Sequence, residues 1–308
     1  MKTVRARAYA SIANIGYGFD VFAVCVGCGF DEVELRLAKH GPRLEIEGGN
    51  GIPRSVTRNT AGVALLRLMR DHGLEARLEI RVRKGVPGGG GLGSSAASAA
   101  AAVTAANRLF DLGLSRGALV PYAAHGETAA AGAAHADNVA AALFGGFVIV
   151  DLQSPTSVRR VRPGASLRFA IAAPRISLTT AAARRALPQR LSIAEHSHGC
   201  ARAALIAVAM AEGDIAGVGR ALEGSFSDRA RSKLIPGFPD VCRSARSAGA
   251  AGATLSGAGP SVMAVVDAAR AQPRRVAEAM REAFRRAGVE ADTYVAAAAG
   301  PARVIEAR

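Results

Sequence analysis

A glycine-rich segment, residues 84–98, has the residue types and spacing that bind phosphate groups. It reads Lys-Gly-Val-Pro-Gly-Gly-Gly-Gly-Leu-Gly-Ser-Ser-Ala-Ala-Ser, and an alanine-rich run follows that predicts a helix beginning at Ser94. Glycine lets a ligand approach the backbone closely, and the free N–H groups at the start of a helix attract anions. Ser94 and Ser95 could cap this helix. The segment therefore predicts a phosphate site, with a glycine-rich turn before an ordinary helix as the alternative.

Two further sets of polar residues are grouped closely in the sequence. Asn14 and Asp20 bracket a turn that contains two glycines. Both residue types stabilise turns by bonding their own backbone, and spacing alone favours that structural role. His135, Asp137 and Asn138 lie close together in a stretch of small residues, 132–146, that is predicted to form a loop before a strand. This second set lacks the ligands of a zinc site.

The glycine-rich segment resembles the phosphate loop of the GHMP small-molecule kinases, which also runs from Pro and Gly through Leu-Gly-Ser-Ser into a helix. The resemblance implies that ATP binds residues 87–97. It also implies Mg²⁺ at Ser95 and Glu127, a residue that by itself would be expected on a solvated helix surface. One carboxylate, a hydroxyl and waters suit this hard cation. The implied ATP-binding residues are Asn59 (near the adenine), Lys84, Pro87, Gly88, Gly89, Gly90, Gly91, Leu92, Gly93, Ser94, Ser95, Ala96 and Ala97.

The segment Ser-Ile-Ala-Asn-Ile-Gly-Tyr-Gly-Phe-Asp, residues 11–20, resembles the first motif of the homoserine kinase family, usually Ser-Ser-Ala-Asn-Leu-Gly-Pro-Gly-Phe-Asp. Ile12 and Tyr17 depart from that pattern. His-Ala-Asp-Asn followed by Gly-Gly, residues 135–146, is similar to another motif of the family, with Ala141 where proline is usual. Segments 179–188 and 228–237 resemble two more. The implied substrate-binding residues are Asn14, Asp20, His135, Asn138, Thr180, Arg184 (or Arg185 in the alternative register) and Arg231.

These resemblances imply an enzyme that transfers phosphate from ATP to the side-chain hydroxyl of L-homoserine, in threonine biosynthesis. His135 and Asn138 would lie at the reacting hydroxyl as catalytic residues. A neutral amide such as that of Asn138 can orient a hydroxyl but cannot accept its proton, so we expect no strong protein base. The implied fold is α+β, with a ribosomal-protein-S5-like domain at residues 1–155 and a ferredoxin-like domain at residues 156–308. A homodimer is also implied.

Composition and charge limit the possible functions. The chain has 308 residues and a formal net charge of +14, yet its arginines are dispersed without a basic tail, which argues against a nucleic-acid partner. Cys25 and Cys28 have metal-site spacing without a second pair, so we expect small apolar residues in a buried strand. Without a signal peptide or membrane span, a cytoplasmic protein is expected. A GHMP kinase for another alcohol, a non-catalytic nucleotide-binding protein and an RNA-binding protein remain alternative functions.

The elements that must position these residues follow from hydrophobic periodicity. Strands are predicted at 3–9, 21–28, 78–82, 147–150, 169–173, 250–255, 262–266 and 291–297, and one or two more within 31–47. Helices are predicted at 59–72 with Asn59 as N-cap, and at 94–106, 119–131, 190–211 and 272–287. The helix at 190–211 is predicted to turn Leu191, Ala194, Ala201, Leu205 and Val208 toward the core, with His196 and His198 exposed.

Overall fold

The computed structural model describes residues 2–41, 43–49, 51–88, 90–132 and 134–308. The strands are β1 (Thr3–Ala13), β2 (Phe22–Ala38), β3 (Leu44–Gly48), β4 (Arg77–Arg83), β5 (Phe147–Val150), β6 (Val158–Val161), β7 (Leu167–Pro174), β8 (Gly252–Leu255), β9 (Val262–Asp267), β10 (Ala291–Ala296) and β11 (Arg303–Ala307). The helices are α1 (Thr60–Asp71), α2 (Ser94–Leu109), α3 (Arg116–Ala131), α4 (Asp137–Phe144), α5 (Thr180–Arg185), α6 (Ile193–Glu212), α7 (Ile215–Leu222), α8 (Phe226–Arg231), α9 (Phe238–Ser247) and α10 (Pro273–Arg286). The predicted α+β class is confirmed.

A large sheet has the strand order β11-β1-β2-β4-β3, and β5 and β6 extend it from β2. Strand β2 pairs with β1, but the register shifts between Tyr9 and Ala10 and leaves Gly27 to Gly29 out of the ladder. Such an irregularity bends a strand, and β2 pairs with β4 through residues 32–38 and with β5 through residues 22–24. Strands β6 and β11 join this sheet although they follow residue 155 in the chain. The division of the chain into two domains at that residue stays a prediction.

Helix α2 is buried along most of its length against β1, β2, α1 and α3. Its contact surface consists almost entirely of alanine methyl groups, and Val103 is the largest side chain among its central residues. The distance between packed helices depends on the side chains at the contact. The alanine run therefore lets α2 pack closely between the sheet and two helices, and fixes the position of its N-terminus.

A second sheet has four antiparallel strands in the order β10-β7-β9-β8. Successive side chains of each strand point to opposite faces of the sheet, since the side-chain period of a strand is two residues. Phe169, Ile171 and Val265 pack into the core shared with α6 and α7, while Ala170 and Ala264 pack under α9 and α10. The strand order and the two helical crossovers are those of a ferredoxin-like βαββαβ unit.

The helix predicted at 190–211 is present as α6, but the prediction of its buried face was wrong. Ile206, Ala209 and Met210 are the buried residues of α6, whereas Leu205 and Val208 are 56% and 52% exposed. Leu191, Ala194 and Ala201 are exposed as well. Apolar residues occur on every side of this helix, so its periodicity does not identify one core face.

Several shorter elements were not predicted. The stretch 132–146, predicted as a loop, contains α4, and β11 follows the last predicted strand. Cys25 is buried in β2 as predicted, but Cys28 is only partly buried, in the part of β2 that is not paired with β1. Among the helices of the described ranges, none has the length and apolarity that crossing a bilayer requires.

Candidate active site

A cavity of about 630 Å³ lies between the glycine-rich segment, the turn after β1, the start of α4 and segments 178–184 and 257–259. Its lining includes almost all of the residues predicted to bind ATP, metal or substrate. Gly89 lies outside the described residues. Ala96 and Ala97 do not line the cavity, because their side chains are buried in α2 and the N–H of Ala97 donates to Gly93 O at 2.9 Å.

The glycine-rich loop is held between β1 and the turn after β8. Gly93, not Ser94 or Ser95, is the N-cap of α2, with φ of +66° and no side-chain cap. A Cβ on Gly93 would overlap the hydroxyl of Ser11, and a Cβ on Gly91 would overlap the carbonyl oxygen of Ser256. Glycine is needed at both positions for space as well as for backbone conformation. The first turn of α2, with its unpaired N–H groups, faces the cavity.

Glu127 and Ser95 meet at the end of this loop. Glu127 is buried in α3, its Oε2 accepts a hydrogen bond from Ser95 Oγ at 3.0 Å, and its Oε1 has no partner within the described structure. Burial raises the pKa of Glu127 to about 7, and the Ser95 hydrogen bond opposes that shift. A buried carboxylate oxygen without a partner, next to a hydroxyl, fits a hard divalent cation that takes its remaining ligands from phosphate and water.

Asn14 and Asp20 form the turn predicted from their spacing. Both have positive φ, +55° and +58°, and Asn14 Oδ1 accepts a hydrogen bond from the Asp20 backbone N–H at 2.8 Å. Asn14 therefore stabilises the turn, and its side chain also lines the cavity. The Asp20 carboxylate accepts both of its short contacts from Arg184 Nη2, at 2.9 and 3.1 Å.

Two arginines line the same end of the cavity, and each lies over the ring of Phe19 at 5.4 or 5.3 Å from its centroid. Arg184 faces the cavity, and its neighbour Arg185 is not among the lining residues. Arg231 is buried and donates to Ala183 O and Gly257 O, each at 3.1 Å. Burial, followed by the charge of Arg184, lowers the pKa of Arg231. Five N–H donors and two partners leave Arg231 able to bind an anion.

The residues of the His-Ala-Asp-Asn motif face the arginines. His135 Nδ1 lies 3.2 Å from Arg184 Nη2, and burial followed by the Arg184 charge lowers the pKa of His135. Asn138 Oδ1 accepts a hydrogen bond from Ser11 Oγ at 2.8 Å. Asp137 is buried, accepts a bond from the Asn138 N–H at 2.7 Å, and has a pKa raised by burial to about 6. The neutral His135 and the Asn138 amide therefore border the cavity beside a second buried carboxylate.

Sequence reasoning missed several residues that line or support the cavity. Leu178 lines it. The turn Gly257–Gly259 also lines it, as the resemblance of residues 256–261 to a third motif of the GHMP kinases, a glycine loop beside the active site, implies. Ser11 and Asp31 lie beneath it, and both are fully buried. The side chain of Asn59 caps α1 as predicted, accepting bonds from the N–H groups of Ala61 and Gly62, and also lines the cavity.

The chain matches models of a known protein family in two regions. Residues 59–146 match the GHMP kinases N terminal domain, and residues 206–289 match the GHMP kinases C terminal domain. The chain is 40% identical over 296 residues to the homoserine kinase of Haloquadratum walsbyi, covering 96% of each protein. It is 34% identical to that of Saccharolobus islandicus over 99% of each.

Solved structures agree with these matches. A homoserine kinase from Cytophaga hutchinsonii superposes with a TM-score of 0.90 at 34% identity, covering 98% of this chain and 97% of that one. A galactokinase from Lactococcus lactis shares the fold alone, with a TM-score of 0.74 at 16% identity and coverage of 98% and 95%.

Proposed function

Because the chain belongs to the homoserine kinase family of the GHMP kinases, we propose that it phosphorylates the side-chain hydroxyl of L-homoserine with ATP. The product would be O-phospho-L-homoserine, an intermediate of threonine biosynthesis. One observation carries the proposal: the phosphate loop and the charges suited to a zwitterion, Asp20, Arg184 and Arg231, line one cavity.

The nucleotide end of the cavity supplies backbone donors and a metal site. The loop through Gly93 and the first turn of α2 would bind the phosphates, since N–H groups there have no helical partners. Ser95 and Glu127 would hold Mg²⁺, which would neutralise charge on the phosphates. Burial of the Glu127 carboxylate raises its pKa to about 7, so a cation would find this group partly protonated near neutral pH.

The substrate end carries opposite charges at fixed separation. Arg184 and Arg231 would bind the carboxylate of homoserine, and Asp20 would bind its ammonium. The ion pair between Asp20 and Arg184 orients both groups before substrate arrives. Preformed geometry of this kind reduces the entropy lost on binding, and it selects for a zwitterion over an uncharged alcohol.

The reacting hydroxyl would lie beside His135 and Asn138. The Asn138 amide cannot accept a proton at neutral pH. We therefore propose that positioning and charge neutralisation supply most of the rate. The proton of the hydroxyl would leave late, to phosphate or water.

The test is an ADP-release assay with ATP and a panel of L-homoserine, L-threonine, mevalonate and shikimate. Homoserine should give the highest kcat/KM, because it alone carries both charges and a primary hydroxyl. Preference for mevalonate or shikimate would indicate a GHMP kinase for another substrate. ATP binding without turnover of any of the four would indicate a nucleotide-binding protein and would overturn the proposal.

Three further features are proposed on the family relationship. We propose Mg²⁺ as the divalent ion, a homodimer as the oligomeric state and the cytoplasm as the compartment. Replacing Mg²⁺ by Ca²⁺ in the ADP-release assay tests the first. Light scattering at micromolar concentration tests the second, and a fluorescent fusion in the producing cell tests the third.

A further inference from the structure

An ion pair between a buried aspartate and a partly exposed lysine joins the two ends of the phosphate loop. Lys84 lies at the beginning of the loop, and its Nζ donates to Asp31 Oδ2, to Ser94 O at 2.7 Å and to Ser98 Oγ at 2.9 Å. A lysine ammonium has three N–H donors. All three are therefore engaged within the protein, although Lys84 lines the cavity.

Asp31 collects hydrogen bonds from both sides of the loop. Its Oδ1 accepts from the backbone N–H groups of Gly85 and Val86, at 3.0 and 3.1 Å. Its Oδ2 accepts from Lys84 and from Ser98 Oγ, the latter at 2.7 Å. The carboxylate is 0% exposed on β2. One buried group of the central sheet thus fixes both the start of the loop and the first turns of α2.

The carboxylate and the ammonium depend on each other. A buried carboxylate needs an opposite charge and several donors. Lys84, whose side chain is 32% exposed, supplies the charge and one of the four hydrogen bonds that Asp31 accepts from the described residues. If Lys84 moved to a phosphate, Asp31 would lose its counter-charge and Ser94 O its donor. The geometry therefore opposes a separate role for Lys84 as a mobile phosphate ligand.

We propose that Asp31 and Lys84 are a positioning pair, which holds the phosphate loop and the N-terminus of α2 in the geometry needed for phosphoryl transfer. Lys84 acts through Asp31, and the N–H groups that the pair aligns bind the phosphates. This proposal rests on the proposed kinase activity but concerns residues outside the reacting groups. A misplacement of about 1 Å can reduce a catalysed rate by about a hundredfold, so the pair should affect kcat more than nucleotide affinity.

The test is a double-mutant cycle with Asp31→Asn, Lys84→Met and the double variant. The measurements are kcat and KM for ATP, the Kd of ADP and the melting temperature. The exposed ion pair of Lys2 with Asp111 gives a matched control, since Lys2→Met and Asp111→Asn remove the same groups away from the cavity. The control variants should retain wild-type kinetics.

Each single variant of the positioning pair should lower kcat by about a hundredfold. The double variant should be no more than about threefold worse than either single variant, because residues that act as a unit are not additive. Hydrogen exchange at residues 85–98 should increase in both single variants, with exchange in β1 and β11 unchanged. The Kd of ADP should change by the same factor in Asp31→Asn and Lys84→Met.

Two results would overturn the proposal. First, Lys84→Met could raise the Kd of ADP about tenfold more than Asp31→Asn does, and the double variant could show the product of the two changes in Kd. Lys84 would then be an independent phosphate ligand. A wild-type kcat in folded Asp31→Asn would remove any positioning role. If Asp31→Asn does not fold, Ser98→Ala keeps the ion pair but removes one of its two links to α2, leaving the bond from Lys84 to Ser94 O. That variant should lower kcat by about tenfold, and wild-type kcat in it would count against the proposal.

Discussion

Glu127 accepts a hydrogen bond from Ser95 at 3.0 Å, and the second oxygen of its carboxylate has no partner among the described residues. Ser95 is the second residue of α2, whereas Glu127 lies on α3. The alanine surface of α2 brings these two helices close enough for the contact. Burial raises the pKa of this carboxylate, which within the described part of the chain has a hydrogen-bond partner on only one oxygen. Its protonation state should therefore control whether the site binds a metal ion.

Magnesium activation should depend on pH through Glu127. A metal ligand must lose its proton before the metal binds, and the pKa of Glu127 is about 7. Below that pH the apparent affinity for Mg²⁺ should fall toward tenfold per pH unit. Titrating Mg²⁺ at fixed ATP between pH 6 and 8.5 measures this. An apparent affinity that does not change with pH across this range would contradict the role of Glu127 as a ligand.

Glu127→Gln should stabilise the metal-free protein at alkaline pH. The folded pKa of Glu127 is about 7 against an ordinary value of 4.5. A raised carboxyl pKa means that stability is lost as pH rises from about 4.5 to about 7, and the shift corresponds to about 3 kcal/mol. The free energy of unfolding in EDTA should therefore be higher in the variant at pH 8 and equal at pH 4.5.

The same variant should lose kinase activity at every pH, which separates the stability effect from the catalytic one. Equal stability of the two proteins at pH 8 would mean that the carboxylate is adequately solvated in the folded state, contrary to the burial seen here.

Gly93→Ala should abolish activity because of space, beyond any effect of backbone strain. Gly93 and Gly113 both have φ of +66°, but a Cβ on Gly93 would overlap Ser11 Oγ while a Cβ on Gly113 meets no atom within 4 Å. Alanine at a positive φ costs about 1 kcal/mol at either position. The two variants should therefore differ by the local clash. ATP binding by calorimetry should be lost in Gly93→Ala and retained in Gly113→Ala.

The sequence was sufficient where short-range chemistry decides the structure. The glycines of the phosphate loop, the Asn59 cap and the Asn14–Asp20 turn each follow from the backbone needs of a few neighbouring residues. The continuous apolar run from Phe169 to Ala173 likewise predicts a strand. The structure has all of these features.

The remainder depends on contacts between distant residues. Strand β11 is a short edge strand whose residues do not alternate regularly between apolar and charged, and only its pairing with β1 identifies it. Leu205 and Val208 were expected inside because α6 is apolar on several sides, and tertiary packing selected Ile206 and Met210 instead. The burial of Glu127, which sequence alone suggests is exposed, is set by packing against the preceding helix α2, where Ser95 lies 32 residues earlier in the chain.

Arg184→Met should raise the KM for homoserine, while Arg185→Met should not. The two arginines are neighbours on α5, but Arg184 pairs with Asp20 and lines the cavity, and Arg185 does neither. Truncating a hydrogen-bonded charge costs a few kcal/mol, so kcat/KM for homoserine should fall by roughly a hundredfold. The KM for ATP should change little in both variants. Equal losses in the two variants would point to net charge rather than to a specific carboxylate contact.

Asp137→Asn distinguishes positioning from general-base catalysis. Asp137 is the buried carboxylate nearest in sequence to Asn138, and it accepts a bond from the Asn138 N–H at 2.7 Å. If it only orients Asn138, an amide oxygen can accept the same bond, and kcat should fall by less than about a hundredfold. Removal of a general base costs up to about ten thousandfold.

The control is Asp137→Ala, which removes the acceptor and should be worse than Asp137→Asn if orientation is the role. The pKa of Asp137 is about 6. If Asp137 is the general base, kcat should therefore decline below pH 6 in the wild type and should not show that decline in Asp137→Asn. Because Asn138 cannot accept the hydroxyl proton, a loss of kcat beyond about a thousandfold in folded Asp137→Asn would identify Asp137 as the acceptor of that proton. A smaller loss leaves phosphate or water as the acceptor.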